Sequence, residues 1–293
     1  MPMGRFAGQL DGREIAGAAP GVRLSVAERV IAGHAQDIAL RLYRPLALAV
    51  AAAPVLPAVL WFHGGGFTTG SLDEAEAAAA AVAEGVPALV VSVGYSLAPA
   101  FPFPAAIEDA RRTACWVAGE AASLGVRRTG IGVAGHDAGA HIAAALTLIA
   151  RDQGHPFIAG QALLAPMLDP SLTRIAEERD GQEDLRKAYG EAVRECGRCF
   201  RAYLPVATQR LHPYAALLDC RRLDRLPPAL IVTAGNDPLR RESERYACRL
   251  AEAGVAAQVL RFADASRAGL ARHAGALSAV SQFLRRRLTG AEP

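Results

Sequence analysis

Apolar and polar positions alternate along this chain in two distinct patterns. Short, nearly continuous apolar runs are typical of strands that are buried on both faces of a sheet. Such runs span residues 58–62, 87–93, 129–134, 159–164, 229–234 and 256–262. Segments with the spacing of helices lie between them, at residues 74–84, 104–119, 138–149, 242–253 and 274–288. Strands that alternate with helices predict the α/β class, with a mostly parallel, doubly wound sheet.

Two parts of the chain depart from this alternation. Residues 22–30 and 37–43 alternate with a period of two and predict a hairpin, whereas the first twenty residues are interpreted as a loose lead-in or a short helix. Residues 169–211 are rich in charge but keep aromatic side chains, which predicts a small helical lid over the end of the sheet. We therefore expect a single domain over residues 1–293, with the lid inserted in it.

Composition and charge exclude several classes of partner. The chain has 293 residues, of which 52% are hydrophobic and 21% charged, as in an ordinary globular protein. The formal net charge of +3 is too small to favour nucleic acid or an anionic membrane. Three prolines interrupt the uncharged run over residues 45–62, so a spanning helix is not expected. We expect a small-molecule substrate, no nucleic acid and no membrane, and leave a homodimer open.

The cysteines predict neither disulfides nor a metal site. Their number, five, is odd, and Cys196-x-x-Cys199 is a single pair without the second pair that a zinc site needs. We expect no metal and no cofactor. Residues 1–10 lack the pattern of a signal peptide, and free thiols are typical of a reducing compartment, so the expected location is cytoplasmic.

The clearest motif is Gly135-His136-Asp137-Ala138-Gly139, which joins a predicted strand to a predicted helix. This layout is typical of the nucleophile elbow G-x-S-x-G, in which a sharp turn lifts one side chain above a parallel sheet. Glycines suit the two outer positions because the strained turn leaves no room for side chains beside the nucleophile. The middle position, however, holds Asp137 instead of serine.

A second motif, His63-Gly64-Gly65-Gly66, directly follows the predicted strand at residues 58–62. Consecutive glycines expose backbone amides to a ligand, as an oxyanion hole requires. With both motifs present, the chain resembles the hormone-sensitive-lipase-like family of α/β-hydrolase-fold esterases. The resemblance extends over about residues 22–288, and its matching stretches are residues 63–71, 91–105, 135–140, 226–239 and 246–255.

The resemblance implies an α/β-hydrolase fold with a Ser-Asp-His triad, in which Asp237 would be the acid. It also implies that the oxyanion donors are the amides of Gly64, Gly65 and Ala138. Two triad members do not match. The first is the nucleophile, whose position holds Asp137 instead of serine.

The second mismatch is the histidine, whose position falls on Arg267 or Ala268. His273 lies a few residues further on, where it either reaches the site or begins the last helix. His136 and His141, beside the elbow, are interpreted as structural.

Without the hydroxyl and the imidazole, this chain is not expected to be a standard serine carboxylesterase. The leading expectation is an enzyme that acts on a small carbonyl- or ester-containing molecule. Asp137 would be its general acid or base, in lyase, dehydratase, isomerase or cyclase chemistry, and the oxyanion loop would stabilise the developing anion. Two carboxylates in one pocket raise the pKa of one of them, and an inward-pointing Arg267 would offset this effect or clamp a substrate carboxylate.

Two alternatives stay open. The first is a non-catalytic, ligand-binding pseudoenzyme. The second is a hydrolase with Asp137 as the nucleophile, which needs His273 to activate the water that releases the covalent intermediate.

Overall fold

The computed structural model describes residues 13–16, 23–46, 55–154, 157–173 and 183–290, with the backbone alone for residues 16 and 183–188. These residues form a nine-stranded sheet in the order β1-β2-β3-β5-β4-β6-β7-β8-β9. The strands are β1 (Arg13–Ala16), β2 (Arg23–Ile31), β3 (Ile38–Pro45), β4 (Ala58–Phe62), β5 (Leu89–Gly94), β6 (Ile131–His136), β7 (Ile158–Leu164), β8 (Ala229–Asn236) and β9 (Ala257–Ser266).

The sheet has an antiparallel edge and a parallel body. β1, β2 and β3 pair antiparallel, and β3 pairs antiparallel with β5. From β5 across to β9, all neighbouring strands are parallel. The predicted hairpin and the mostly parallel sheet are therefore confirmed.

The prediction for the first twenty residues is wrong at β1, where four residues form an edge strand. A strand of four residues is too short to show a period, and pairing with β2 stabilises it instead. The rest of that segment lies outside the described residues.

Helices cover both faces of the sheet and divide its core in two. They are α1 (Leu72–Gly85), α2 (Ala105–Gly119), α3 (Ala138–Gln153), α4 (Glu183–Tyr203), α5 (Arg240–Glu252) and α6 (Ala274–Thr289). One core cluster joins α2, α3, α4 and α5 to one face of the sheet, and the other joins α1 and α6 to the opposite face. Strands such as β4, whose five residues are all buried, face helices on both sides, which explains their continuous apolar sequence.

Helix α4 falls inside the segment predicted to be a lid, residues 169–211, of which residues 174–182 lie outside the described residues. Among the described helices, none combines the length and the apolar character needed to cross a membrane.

Candidate active site

The turn from β6 into α3 has the geometry of a nucleophile elbow. Asp137 stands at its apex with φ 57° and ψ −119°, a strained conformation for a residue with a side chain. A Cβ on Gly135 would lie 2.5 Å from the carbonyl carbon of Gly139. A Cβ on Gly139 would lie 2.5 Å from the carbonyl carbon of Phe62. Only glycine fits these two positions, so the turn holds its shape through sterics and not through the residue at its apex.

The glycine loop after β4 donates two hydrogen bonds to this apex. The amides of Gly65 and Gly66 lie 3.1 and 2.8 Å from Asp137 Oδ2. Both glycines have positive φ, 113° and 58°, which turns their N–H groups toward the elbow. The side chain of Asp137 therefore fills the anion-binding position that an oxyanion hole offers.

These donors differ from the expected set of Gly64, Gly65 and Ala138. In the described contacts of Asp137, Gly66 takes the place of Gly64, and Ala138 makes no such bond. The reason is the position of Gly64, whose missing Cβ would lie 2.6 Å from His136 Nδ1, so this residue packs against the histidine.

His63 anchors the loop from behind. Its ring stacks on Tyr95 with centroids 4.2 Å apart, and the Tyr95 hydroxyl donates to the His63 carbonyl at 2.9 Å. The His63 Nδ1 atom lies 2.7 Å from the Gly64 carbonyl. His63 thus holds the loop and does not contact Asp137 in the described structure.

Arg267 connects the two carboxylates of the site. Its Nε lies 3.0 Å from Asp137 Oδ1, to which Nη2 also donates, and its Nη1 lies 3.1 Å from both oxygens of Asp237. The Asp237 side chain is fully buried, and those of Arg267 and Asp137 are only 14% and 13% exposed. We call Asp137, Arg267 and Asp237 the ion chain, in which the guanidinium stands between the acid and the elbow, where the resemblance implies an imidazole.

The ion chain fixes the charge of the elbow residue. Burial alone would raise the pKa of Asp137, but the charge and hydrogen bonds of Arg267 hold this pKa well below its usual range. Burial opposes the charge of Arg267 as well, yet Asp237 and Asp137 raise the pKa of its guanidinium. The expectation that paired carboxylates raise a pKa into the range useful for acid–base catalysis is therefore not met at Asp137.

His273 caps a helix. Its Nδ1 accepts from the Ala276 amide at 3.2 Å at the start of α6, and its ring packs 4.6 Å from that of Phe262. Its Nε2 lies 4.0 Å from Asp264. The described partners of Asp137 do not include His273, so the route through an aspartate nucleophile lacks its water-activating base.

The two histidines beside the elbow bond to backbone carbonyls. His136 Nε2 lies 2.8 Å from the Arg267 carbonyl. His141 contacts the carbonyls of Met167 and Tyr214 at 2.6 and 3.1 Å.

Helix α4 packs directly on the glycine loop, which the sequence reasoning did not foresee. The Tyr203 ring stacks on Phe67, with centroids 4.0 Å apart and an interplanar angle of 1°. The Cβ of Cys199 lies 3.0 Å from where a Cβ on Gly66 would be. The i, i+3 spacing of Cys196 and Cys199 places both side chains on one helix face. This spacing was the feature of the sequence that could have indicated a packed face on α4.

Glu242 is a second residue that the sequence reasoning missed. It is 1% exposed, and its Oε1 accepts from the Leu168 amide at 2.7 Å. Burial raises the pKa of Glu242 to about 8, against the effect of that amide and of nearby Arg267. Within the described ranges, no group of three or more histidine, cysteine, aspartate or glutamate side chains could hold a metal ion.

Comparisons with known proteins agree with this fold. A family model described as alpha/beta hydrolase fold matches residues 59–268. The chain is 38% identical to esterase LipI of Mycobacterium tuberculosis over 267 residues, 90% of this chain and 81% of the relative. It is 37% identical to carboxylesterase NlhH of the same species over 235 residues, 76% of this chain and 68% of the relative.

Solved structures give the same result. The esterase of Pyrobaculum calidifontis matches with a TM-score of 0.77 and 34% identity, over 89% of this chain and 82% of that one. The carboxylesterase EstE1 from a metagenomic library matches with a TM-score of 0.80 and 30% identity, over 95% of this chain and 92% of that one.

The expectation of lyase, dehydratase, isomerase or cyclase chemistry is wrong. Relatives that are 30–38% identical are named esterases and carboxylesterases, which points to ester hydrolysis. The physical reason lies in the ion chain, because Arg267 keeps Asp137 as a carboxylate that is poorly suited to exchange protons. With the fold, the elbow and these relatives in agreement, the chain belongs to the α/β-hydrolase-fold family.

Proposed function

We propose that the site recognises a carboxylic ester or the carboxylate derived from one, and that the ion chain keeps it from hydrolysing esters by the serine mechanism. The observation that carries this proposal is the position of Asp137 Oδ2 on the amides of Gly65 and Gly66. Those amides are the donors that would stabilise the oxyanion of an ester under attack. In this chain they already bind a carboxylate.

Two further observations support the absence of serine-type hydrolysis. The elbow residue carries no hydroxyl, and the group between it and Asp237 is a guanidinium, which stays protonated and cannot act as a base. A serine esterase needs both groups, since the imidazole removes the proton of the attacking hydroxyl.

The ligand class follows from the groups that hold Asp137. Two backbone amides and the planar Nε/Nη2 edge of Arg267 surround one carboxylate, an arrangement that suits carboxylates in general. Relatives named as esterases and carboxylesterases act on the esters of such acids, which supports the same ligand class here.

The variant Asp137→Gly tests this assignment. Glycine adopts the positive φ of the elbow without strain, so the variant is expected to fold. Its empty carboxylate position is expected to bind butyrate, and isothermal titration calorimetry and a rise in the thermal unfolding midpoint measure that binding. The double variant Asp137→Gly/Arg267→Gln is the control, in which butyrate binding should be lost. Equal binding of butyrate by both variants, or by neither, would reject the proposed ligand class.

The proposed location is the cytoplasm. All five cysteines are free thiols in the structure, which supports a reducing compartment.

A further inference from the structure

A second cleft lies beside the C-terminal end of α3, at the opposite end of that helix from the elbow. Its volume is about 370 Å³. The last turn of α3, the 3-10 turn Ala207–Leu211 and the segment at residues 219–222 line it. An α-helix rises about 1.5 Å per residue, so Arg151 in this cleft lies about 20 Å along α3 from the elbow. The described lining residues include none of the ion chain or the glycine loop.

Positive charge is in excess in this cleft. Four guanidiniums and two carboxylates line it, those of Arg151, Arg210, Arg221, Arg222, Asp152 and Asp219. Arg151 already pairs with Asp152 at 2.9 Å. Arg210 and Arg221 make no ion pair within the part of the chain that the structure describes. The cleft therefore keeps two positive charges more than its own carboxylates can balance.

The Arg210 side chain shows that an acceptor is missing at this cleft. Its Nε is shielded from solvent and has no hydrogen-bond partner among the described residues. A buried N–H without an acceptor costs free energy, and native structures rarely leave one unpaired. Because Arg210 lines the cleft, an anion bound there would supply acceptors to this guanidinium.

The backbone that carries Arg221 is fixed before any ligand binds. Arg151 on α3 donates to two carbonyls of the segment at residues 218–224, at 2.7 and 3.1 Å. Arg249 on α5 donates to two further carbonyls of the same segment. Binding therefore has little backbone left to order, which lowers the entropic cost of holding a ligand.

The charge and the walls of the cleft favour a phosphate monoester. Such a group carries a charge of about −1.5 to −2 near neutral pH, which matches the excess of two positive charges, whereas a carboxylate would balance only one. Its oxygens can accept from several guanidiniums at once. Leu211, which is 83% exposed, and Pro213 add an apolar wall that an organic group on the phosphate would cover.

We propose that this cleft binds a small organic phosphate monoester. Arg210 and Arg221 would bind the phosphate oxygens, and Arg222, whose side chain is 67% exposed, would add positive charge at the rim. Leu211 and Pro213 would contact the organic group. The proposal does not depend on the carboxylate assignment above, since it concerns different side chains at the other end of α3.

Isothermal titration calorimetry on the purified full chain near neutral pH tests the ligand class with three probes. Phenyl phosphate represents the proposed class, inorganic phosphate lacks the organic group, and benzoate carries a carboxylate on the same ring. We expect phenyl phosphate to bind about tenfold more tightly than either of the others. Absence of phenyl phosphate binding, or equally tight binding of inorganic phosphate or benzoate, overturns the proposal.

Three arginine variants locate the binding. Arg221→Gln and Arg210→Gln each remove an unpaired guanidinium from the cleft and are expected to weaken phenyl phosphate binding about tenfold. Arg225→Gln is the matched control, because this exposed residue lies on the same segment but does not line the cleft. It loses the same charge and should bind phenyl phosphate as the wild type does.

The comparison of Arg221→Gln with Arg225→Gln decides the assignment even if Arg210→Gln does not fold. Both of these side chains are exposed, so neither substitution should disturb the fold. Equal affinities of these two variants for phenyl phosphate would contradict a site in this cleft.

Discussion

The backbone and the side chains of this site differ in what holds them in place. The elbow at residues 135–139 and the glycine loop at residues 63–66 keep the geometry of an ester hydrolase, whereas the ion chain replaces two of the three groups that such an enzyme uses. Sterics hold the backbone, because Gly135 and Gly139 have no space for a Cβ. The side chains at positions 137 and 267 are not required for the turn. The comparison shows that the elbow and the glycine loop keep their shape with a carboxylate at position 137 and a guanidinium at position 267.

Removal of the guanidinium from the ion chain should give the largest effect. In Arg267→Met, two buried carboxylates lose their common partner, and the free energy of unfolding is expected to fall by about 3–5 kcal/mol. Urea denaturation of the wild type and the variant measures this loss. The control is Arg261→Gln on β9. The Arg261 side chain is 50% exposed in its pair with Glu244, so this variant is expected to lose less than about 1 kcal/mol of unfolding free energy. Equal losses of unfolding free energy in the two variants would show that the ion chain stabilises the fold no more than an exposed ion pair does.

The second prediction concerns the buried carboxyl next to the ion chain. Burial raises the pKa of Glu242 from an ordinary 4.5 to about 8, so the folded protein holds this proton more tightly than the unfolded chain. The resulting stabilisation is complete below about pH 4.5 and is lost as the pH rises through about 8. Each unit of pKa difference corresponds to about 1.4 kcal/mol.

Glu242→Gln removes this titration and keeps an oxygen that can accept from the Leu168 amide. The variant is therefore expected to lose less stability than the wild type between pH 5 and pH 9, as measured by thermal unfolding across that range. Glu252→Gln, at an exposed position on the same helix, is the control and should follow the wild type. A pH profile of Glu242→Gln that is as steep as that of the wild type would contradict the burial argument.

The third prediction tests the backbone half of the comparison. In Gly135→Ala the new Cβ meets the backbone of Gly139, which cannot move without opening the elbow, and the expected cost is about 1–3 kcal/mol. Gly119→Ala at the end of α2 is the matched control, because its Cβ meets nothing within 4 Å. There the same substitution should stabilise the protein by about 0.4–1 kcal/mol, since alanine reduces the freedom of the unfolded chain. A neutral Gly135→Ala variant would show that sterics do not hold the elbow.

The sequence predicted the backbone of the molecule well. Continuous apolar runs such as that of β4 and the glycines of the elbow report directly on burial and steric space, which are local properties. β1 escaped prediction because four residues show no period and its pairing with β2 is a contact between segments. The same limit applies to the packing of α4 on the glycine loop, which depends on how a charged segment folds over the sheet.

The side chains of the site were only partly predictable. Position in the chain identified Arg267 as the residue in place of the expected histidine, but it could not tell whether the guanidinium or His273 faces Asp137. That choice depends on a 3-10 turn that ends with His273 capping α6. The reaction expected from the residues was wrong because a lone carboxylate at the elbow suggests proton transfer. Its pairing with Arg267, and the esterase relatives, indicate otherwise.

Hydrolysis of p-nitrophenyl butyrate tests the central claim most directly. It is measured for the wild type, for Asp137→Ser, for Arg267→His and for the double variant Asp137→Ser/Arg267→His. The ion chain predicts no turnover above the uncatalysed rate in the wild type or in either single variant, because each still lacks the hydroxyl or the imidazole. The double variant restores both groups on an intact elbow and should hydrolyse the ester. Ester hydrolysis by the wild type above the uncatalysed rate would contradict the account.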